Sequence, residues 1–268
     1  MKRARWPVAV LFACLLFFYA PLAVLVANSF NASRAGTIWA GFTLRWYRLL
    51  LENREVWAAV SNTLIVATTA TLASIVLGTL AAFALHRWKT RLQTYHFFLV
   101  YTPLVIPDIL MGMSLLILFV SFGVRLSLGT VILAHITFCL SYVALVVLAR
   151  LQDFDMTLIE AARDLGAGPW LTFRRILLPL LAPGILAGGL LAFTLSIDDF
   201  VITFFVAGPG STTLPIQIYS MMRFGSPPLI NALSTILLTV TFVVVLISRR
   251  LGAVVGVYGR PEPRARAG

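Results

Sequence analysis

Three carboxylates stand where carboxylates are costly. The 268-residue chain has only 10 acidic side chains, and Asp108, Asp198 and Asp199 fall inside apolar runs. An ionised acid at membrane depth must face a cavity, a partner or a cation, so each is a candidate for meeting a positively charged solute or a proton. Consecutive helical residues project about 100° apart, so Asp198 and Asp199 cannot both point at one axis. One is expected to line a path and the other to hold a helix or subunit contact. Asp108 lies beside Pro103 and Pro107, which can break or kink a helix and free backbone carbonyls; a functional and a structural role both stay open for it. Phe200, Phe204, Phe205 and Tyr219 could present cation–π faces to an amine, or could simply pack or face lipid.

Covalent chemistry finds no foothold. The chain has two lysines, Lys2 and Lys89, and neither follows a glycine, so it carries no Gly-Lys-Ser/Thr phosphate cradle. There is no His-Glu-x-x-His pair and no Gly-x-Ser-x-Gly elbow. His86 and His96 flank a basic turn, His135 reads as a helix-packing hydrogen-bond donor inside an apolar run, and Cys14 and Cys139 lie in separate runs. No catalytic residue, metal ligand set, bound cofactor or disulfide framework is expected.

The elements that position these residues are membrane helices. Hydrophobic residues make up 60% of the chain and charged residues 12%, with a mean hydropathy of +0.94. Windows of about 19 residues give six spans, 8–27, 60–85, 97–120, 128–149, 184–207 and 229–248. None shows barrel-strand alternation, so the expected fold is all-α, a polytopic membrane helical bundle forming one transmembrane domain over 1–268. The first run follows Lys2, Arg3 and Arg5 like a signal peptide, but its length and poor exit site read as an uncleaved helix. Of the 21 Lys and Arg, 15 fall in the two tails and the segments 86–96 and 150–183. The positive-inside rule therefore puts both termini in the cytoplasm and accounts for most of the net charge of +11 without nucleic acid. The tripeptide Asn31-Ala32-Ser33 fits a glycosylation acceptor, a pattern frequent by chance.

Between the fourth and fifth spans, Thr157-Leu158-Ile159-Glu160 fits a capping box, Gly166 a helix stop and Pro169 the first position of a second helix. The longer pattern is Glu160-Ala161-Ala162, three residues, Gly166, nine residues, Ile176, one residue, then Leu178-Pro179. At all its signature positions it resembles the Glu-Ala-Ala loop of permease subunits of binding-protein-dependent ABC importers. The resemblance implies a type I importer permease fold, and a coupling helix in the cytoplasmic segment 150–183 that docks into a cleft of a separate ATPase. Ala161 and Ala162 would allow close approach, Glu160 would pair with a basic group, and Gly166 would permit a turn that a Cβ would obstruct. Leu158, Ile159 and Leu165 would be apolar anchors.

The stretches 195–200, 214–221 and 231–235 are similar to spermidine/putrescine importer permeases, most of all the C-type subunit, over about Asn62 to Ile247. Permeases for other small solutes share parts of the pattern. What the resemblance implies is a bacterial inner-membrane subunit moving polyamines inward, with an ABC ATPase dimer holding ATP and Mg. A homologous second permease and an extracytoplasmic polyamine-binding protein would complete the complex. Asp198, Asp199, Asp108 and Tyr219 are the candidates for the substrate path. A self-contained ion-coupled transporter is the alternative from another class, though no internal inverted repeat supports it.

Overall fold

A computed structural model describes residues 5–34, 38–87, 91–152, 155, 157–225 and 227–255. Lys2, Arg3, Lys89, Arg260, Arg264 and Arg266, all used above for topology, lie outside the described residues. The elements in chain order are α1 (Arg5–Ser29), α2 (Arg45–Glu52), α3 (Arg54–Arg87), α4 (Gln93–Val105), α5 (Asp108–Ser121), α6 (Leu128–Gln152), α7 (Thr157–Asp164), α8 (Pro169–Thr172), a π turn (Phe173–Leu177), α9 (Leu178–Asp198), α10 (Val201–Val206), α11 (Leu214–Arg223) and α12 (Pro227–Val255). Among the described residues the only β pairing is an isolated bridge between Asn31 and Phe42.

Among the described residues, four helices are long and apolar enough to cross a membrane: Trp6–Ser29, Arg54–Arg87, Leu128–Gln152 and Pro169–Asp198. The third expected span, 97–120, is not one helix. It divides into α4 and α5, which meet at 111°. Ile106 and Pro107 are extended there, as expected for a residue before proline and for a ring that supplies no N–H. The fifth span also departs from 184–207. Its helix begins at Pro169, runs through the π turn and stops at Asp198. The segment 150–183 is therefore mostly helix, since α6 continues to Gln152 and α8 opens at Pro169 with Gly168 as its cap. Of the sixth span, Pro227–Val243 is a shorter apolar stretch.

The chain divides into two compact units, 1–53 with 220–268, and 54–219. In the first, α12 packs against α1 and α2. The loop after α1 is organised by Asn31, whose side chain donates to Ile38 O at 2.9 Å and accepts from Ser33 N at 3.1 Å and Ala40 N at 2.9 Å. Trp46 Nε1 donates to Asn31 O at 2.7 Å. Asn31 is 1% exposed, so its amide is occupied as a loop hub and closed to glycosylation.

In the second unit α3, α6 and α9 form the core. Helix pairs in lipid gain little from hydrophobicity and rely on close approach at small residues. Val143 of α6 marks that approach. A Cβ on Gly78 of α3 would lie 2.8 Å from the Val143 Cβ, and one on Gly188 of α9 would lie 3.3 Å from its Cα. Polar pairing adds the second tie. His135 of α6 is 1% exposed, with Nδ1 2.7 Å from Ser196 Oγ and Nε2 2.8 Å from Thr203 Oγ1.

Candidate functional site

Two places collect the candidate residues, the α7 to α9 segment and the break after α9. α7 starts one residue earlier than a Thr157 cap requires. Thr157 is the first helical residue, and Asp155 Oδ1 accepts its N–H at 2.9 Å. Both residue types are good caps, and Asp155 takes the role. Hydrogen bonds from the Thr157 side chain, then its backbone, hold the exposed Asp155 carboxyl below the usual carboxylate range.

The C-terminus of α7 closes in a Schellman motif. Gly166 N donates to Arg163 O at 2.8 Å and Ala167 N to Ala162 O at 2.9 Å, with Gly166 at φ +81°. A Cβ on Gly166 would meet nothing within 4 Å. Glycine is thus required here by its left-handed backbone, not by a neighbour in the same chain. Ala162 is buried while Ala161 is exposed, so only one of the pair is free for an outside surface. Leu158 is exposed and Leu165 is 89% exposed. Ile159 instead turns inward, half-buried against Phe83, Leu151 and Phe173, and does not belong with the exposed anchors. Glu160 is exposed, and among the described residues no ion pair reaches it. Ile176 is half-buried in the π turn, whereas Leu178 and Pro179 are exposed at the start of α9.

At the other site the two neighbouring acids take different environments. The Asp199 side chain is 9% exposed. Its Oδ2 accepts from Thr203 N at 2.8 Å and Thr203 Oγ1 at 2.7 Å, and lies 3.4 Å from His135 Nε2. Its Oδ1 accepts from Ile202 N at 3.3 Å, so the carboxylate caps α10. Asp199 is held inside by α6 and α10, while Asp198 is exposed at the last position of α9. Beyond the break, ring centroids lie 5.0 Å apart for Phe200 and Tyr219, 5.5 Å for Phe200 and Phe204, and 6.5 Å for Phe204 and Tyr219. Phe205 meets Phe204 edge-on at 5.8 Å and also packs on α5, where a Cβ on Gly112 would come 2.7 Å from its ring.

Asp108 is exposed at the first position of α5. A Cβ on Gly112 would also be 3.3 Å from the Ile202 Cα. α5 and α10 therefore cross at Gly112 and Ile202, with Asp108 one turn before the crossing on α5. Thr203 and Ser196 were not among the expected residues. Their signal was the position of Thr203 four residues after Asp199, the reach of an acid across one helical turn.

Comparison with known proteins gives the following. The family described as "Binding-protein-dependent transport system inner membrane component" matches residues 74–255. The chain is 42% identical over 233 residues to the spermidine/putrescine transport system permease protein PotC of Escherichia coli (strain K12), covering 87% of this chain and 88% of that one. It is 44% identical over 243 residues to the putrescine transport system permease protein PotI of the same strain, covering 88% and 86%. Among solved structures, a bacterial alginate ABC transporter in complex with alginate pentasaccharide-bound periplasmic protein has a chain with the same fold. The TM-score is 0.72 at 18% identity, covering 94% of this chain and 95% of that one.

Proposed function

Because the chain belongs to the family of binding-protein-dependent transport system inner membrane components, and is an ABC importer permease subunit, we propose that the solute it carries is a polyamine such as spermidine or putrescine. The observation that carries this reading is the placing of Asp198. It is an exposed carboxylate at the end of a membrane helix, two residues before Phe200, whose ring centroid lies 5.0 Å from that of Tyr219 and 5.5 Å from that of Phe204. A solute with several ammonium groups meets both charge neutralisation and aromatic faces there. Asp199 acts indirectly, by fixing α10 and so the direction in which Asp198 leaves the helix.

The chain supplies a path and a mechanical link, and the energy comes from elsewhere. α7, closed by Gly166 and exposing Leu165 and Ala161, docks into an ATPase subunit of a dimer that holds ATP and Mg. A second homologous permease completes the pathway, and an extracytoplasmic binding protein delivers solute. We read six crossings, counting α4 with α5 as one, and by the positive-inside rule both termini and the coupling segment lie on the cytoplasmic side of a bacterial inner membrane.

The test is uptake of labelled spermidine by the reconstituted transporter carrying wild-type or Asp198→Asn permease. The substitution is expected to lower polyamine uptake at least about tenfold, roughly one charge contact in a partly desolvated site, with assembly intact. Unchanged polyamine uptake in the variant would refute the role of Asp198. Uptake by this chain without any ATPase would refute the importer reading itself.

A further inference from the structure

We propose that the cytoplasmic end of α3 and the coupling segment together hold one anionic phospholipid, its phosphate in a basic cup and an acyl chain in an apolar groove along α3. This rests on the orientation given above, which sets Arg87 at the cytoplasmic surface. The cup, of about 240 Å³, is walled by His86 and Arg87 of α3 and by Glu160 and Arg163 of α7. Two guanidiniums and an imidazole thus face a single carboxylate, and among the described residues no ion pair satisfies either arginine. Glu160 and Arg163 are one turn apart on α7 and line the cup together with Arg87 from the last turn of α3. The floor is apolar, formed by Leu151, Ile159 and Leu177.

Phe83 and Phe173 line this cup and also a second space, of about 590 Å³, so the two adjoin at these rings. The second space is walled by Ile75, Val76 and Leu80 of α3 and by Leu178 and Ile185 of α9. From Ile75 to Ala84 the helix rises about 14 Å at 1.5 Å per residue, close to half of a hydrocarbon core of about 30 Å. The groove is therefore about one leaflet deep and adjoins the basic cup at Phe83 and Phe173. An acyl chain below a phosphate has this distribution of apolar length and negative charge. Guanidinium groups bind phosphate through paired N–H donors. A zwitterionic lipid brings its own ammonium to the same arginines and gains less from them. Because Arg163 and Glu160 belong to α7, the lipid would touch the coupling segment directly.

Photo-cross-linkable phosphatidylglycerol in phosphatidylcholine nanodiscs carrying the assembled transporter tests this, with the labelled peptides mapped. Labelling is expected to concentrate in residues 75–87 and 173–185. It should fall about 30-fold in Arg87→Gln plus Arg163→Gln, the loss of two basic residues at an anionic surface, and should also fall in Leu80→Trp, which fills the groove. Labelling equal to that of α1, or unchanged by both variants, overturns the proposal. So does displacement by soluble glycerol phosphate as effective as displacement by the lipid, since the groove would then contribute nothing. A disulfide from Val76→Cys to the second permease would show a protein in the groove and overturn it as well. Spermidine uptake is followed in parallel: diffuse labelling with ATP-dependent uptake intact defeats the lipid site alone, whereas uptake without an ATPase defeats the importer reading.

Discussion

Substitution of Gly166 separates two demands that a glycine can answer, backbone conformation and open space. The residue sits at φ +81°, and no atom of its own chain lies within 4 Å of where a Cβ would be. An L-residue in that region costs about 1–2 kcal/mol, which is roughly a five- to thirtyfold loss in population of the turn. Asparagine relieves much of that cost, because it tolerates the left-handed region. If conformation alone mattered, coupling would rank Gly above Asn above Ala. If a partner surface closes over the Gly166 turn, Asn carries three more heavy atoms than Ala into the contact and ranks last. The exposure of Leu165 beside it, at 89%, favours the second order. Spermidine-stimulated ATPase activity of the reconstituted transporter is the assay, with co-purification of the ATPase as the control for assembly. Folding should survive either change, since about 1–2 kcal/mol is small against a stability of about 5–15 kcal/mol. Asn above Ala in stimulated activity would refute the docking of this turn.

The two adjacent acids should part company in stability measurements. Asp199→Asn or His135→Phe removes partners from a buried cluster and is expected to lower stability by about 3 kcal/mol, whereas Asp198→Asn should leave thermal unfolding unchanged. Gly208→Ala should disrupt the second unit, because its Cβ would lie 1.9 Å from Leu126 O, a backbone atom that cannot swing aside; loss of folded yield on size exclusion checks this. Asp155 has its carboxyl lowered by the Thr157 hydrogen bonds, so its support of α7 is fully present above the ordinary aspartate value of roughly 3.9 and is lost as pH falls through the lower, folded-state value. Amide exchange at Thr157 should accelerate on that acid side, and an Asp155→Asn variant should lose the dependence.

What the sequence made legible was local. The apolar lengths of α1, α3 and α6, the stop at Gly166 and the start at Pro169 each follow from a few neighbouring residues. Pro107 signalled a break, but the 111° angle depends on α10 packing against α5 at Gly112, which no local pattern encodes. That the two neighbouring acids differ in setting was legible from their 100° separation, but which of them turns inward was hidden, because the deciding group, His135, comes from α6. Asp155 and Thr157 are both sound caps by chemistry, and only the starting register of α7 chooses between them. Glu160 keeps its place on the coupling segment, but the face shared by Ile159 and Arg163 opens inward onto α3, a relation that requires the tertiary fold.

The π turn from Phe173 to Leu177 interrupts an otherwise continuous helix between Trp170 and the membrane part of α9. Such a turn absorbs one residue more than an α turn, so the stretches on either side are offset by about 100° relative to an unbroken helix. Removing a single residue there would heal the turn, shortening the rod by about 1.5 Å while rotating its outer end by more than a quarter of a circle. In an alignment of this chain with its relatives, a one-residue gap at 173–177 is therefore an angular setting rather than a trimmed loop. Chimeras joined on the wrong side of it would present the outer helix with its faces misdirected even when every contact residue is preserved.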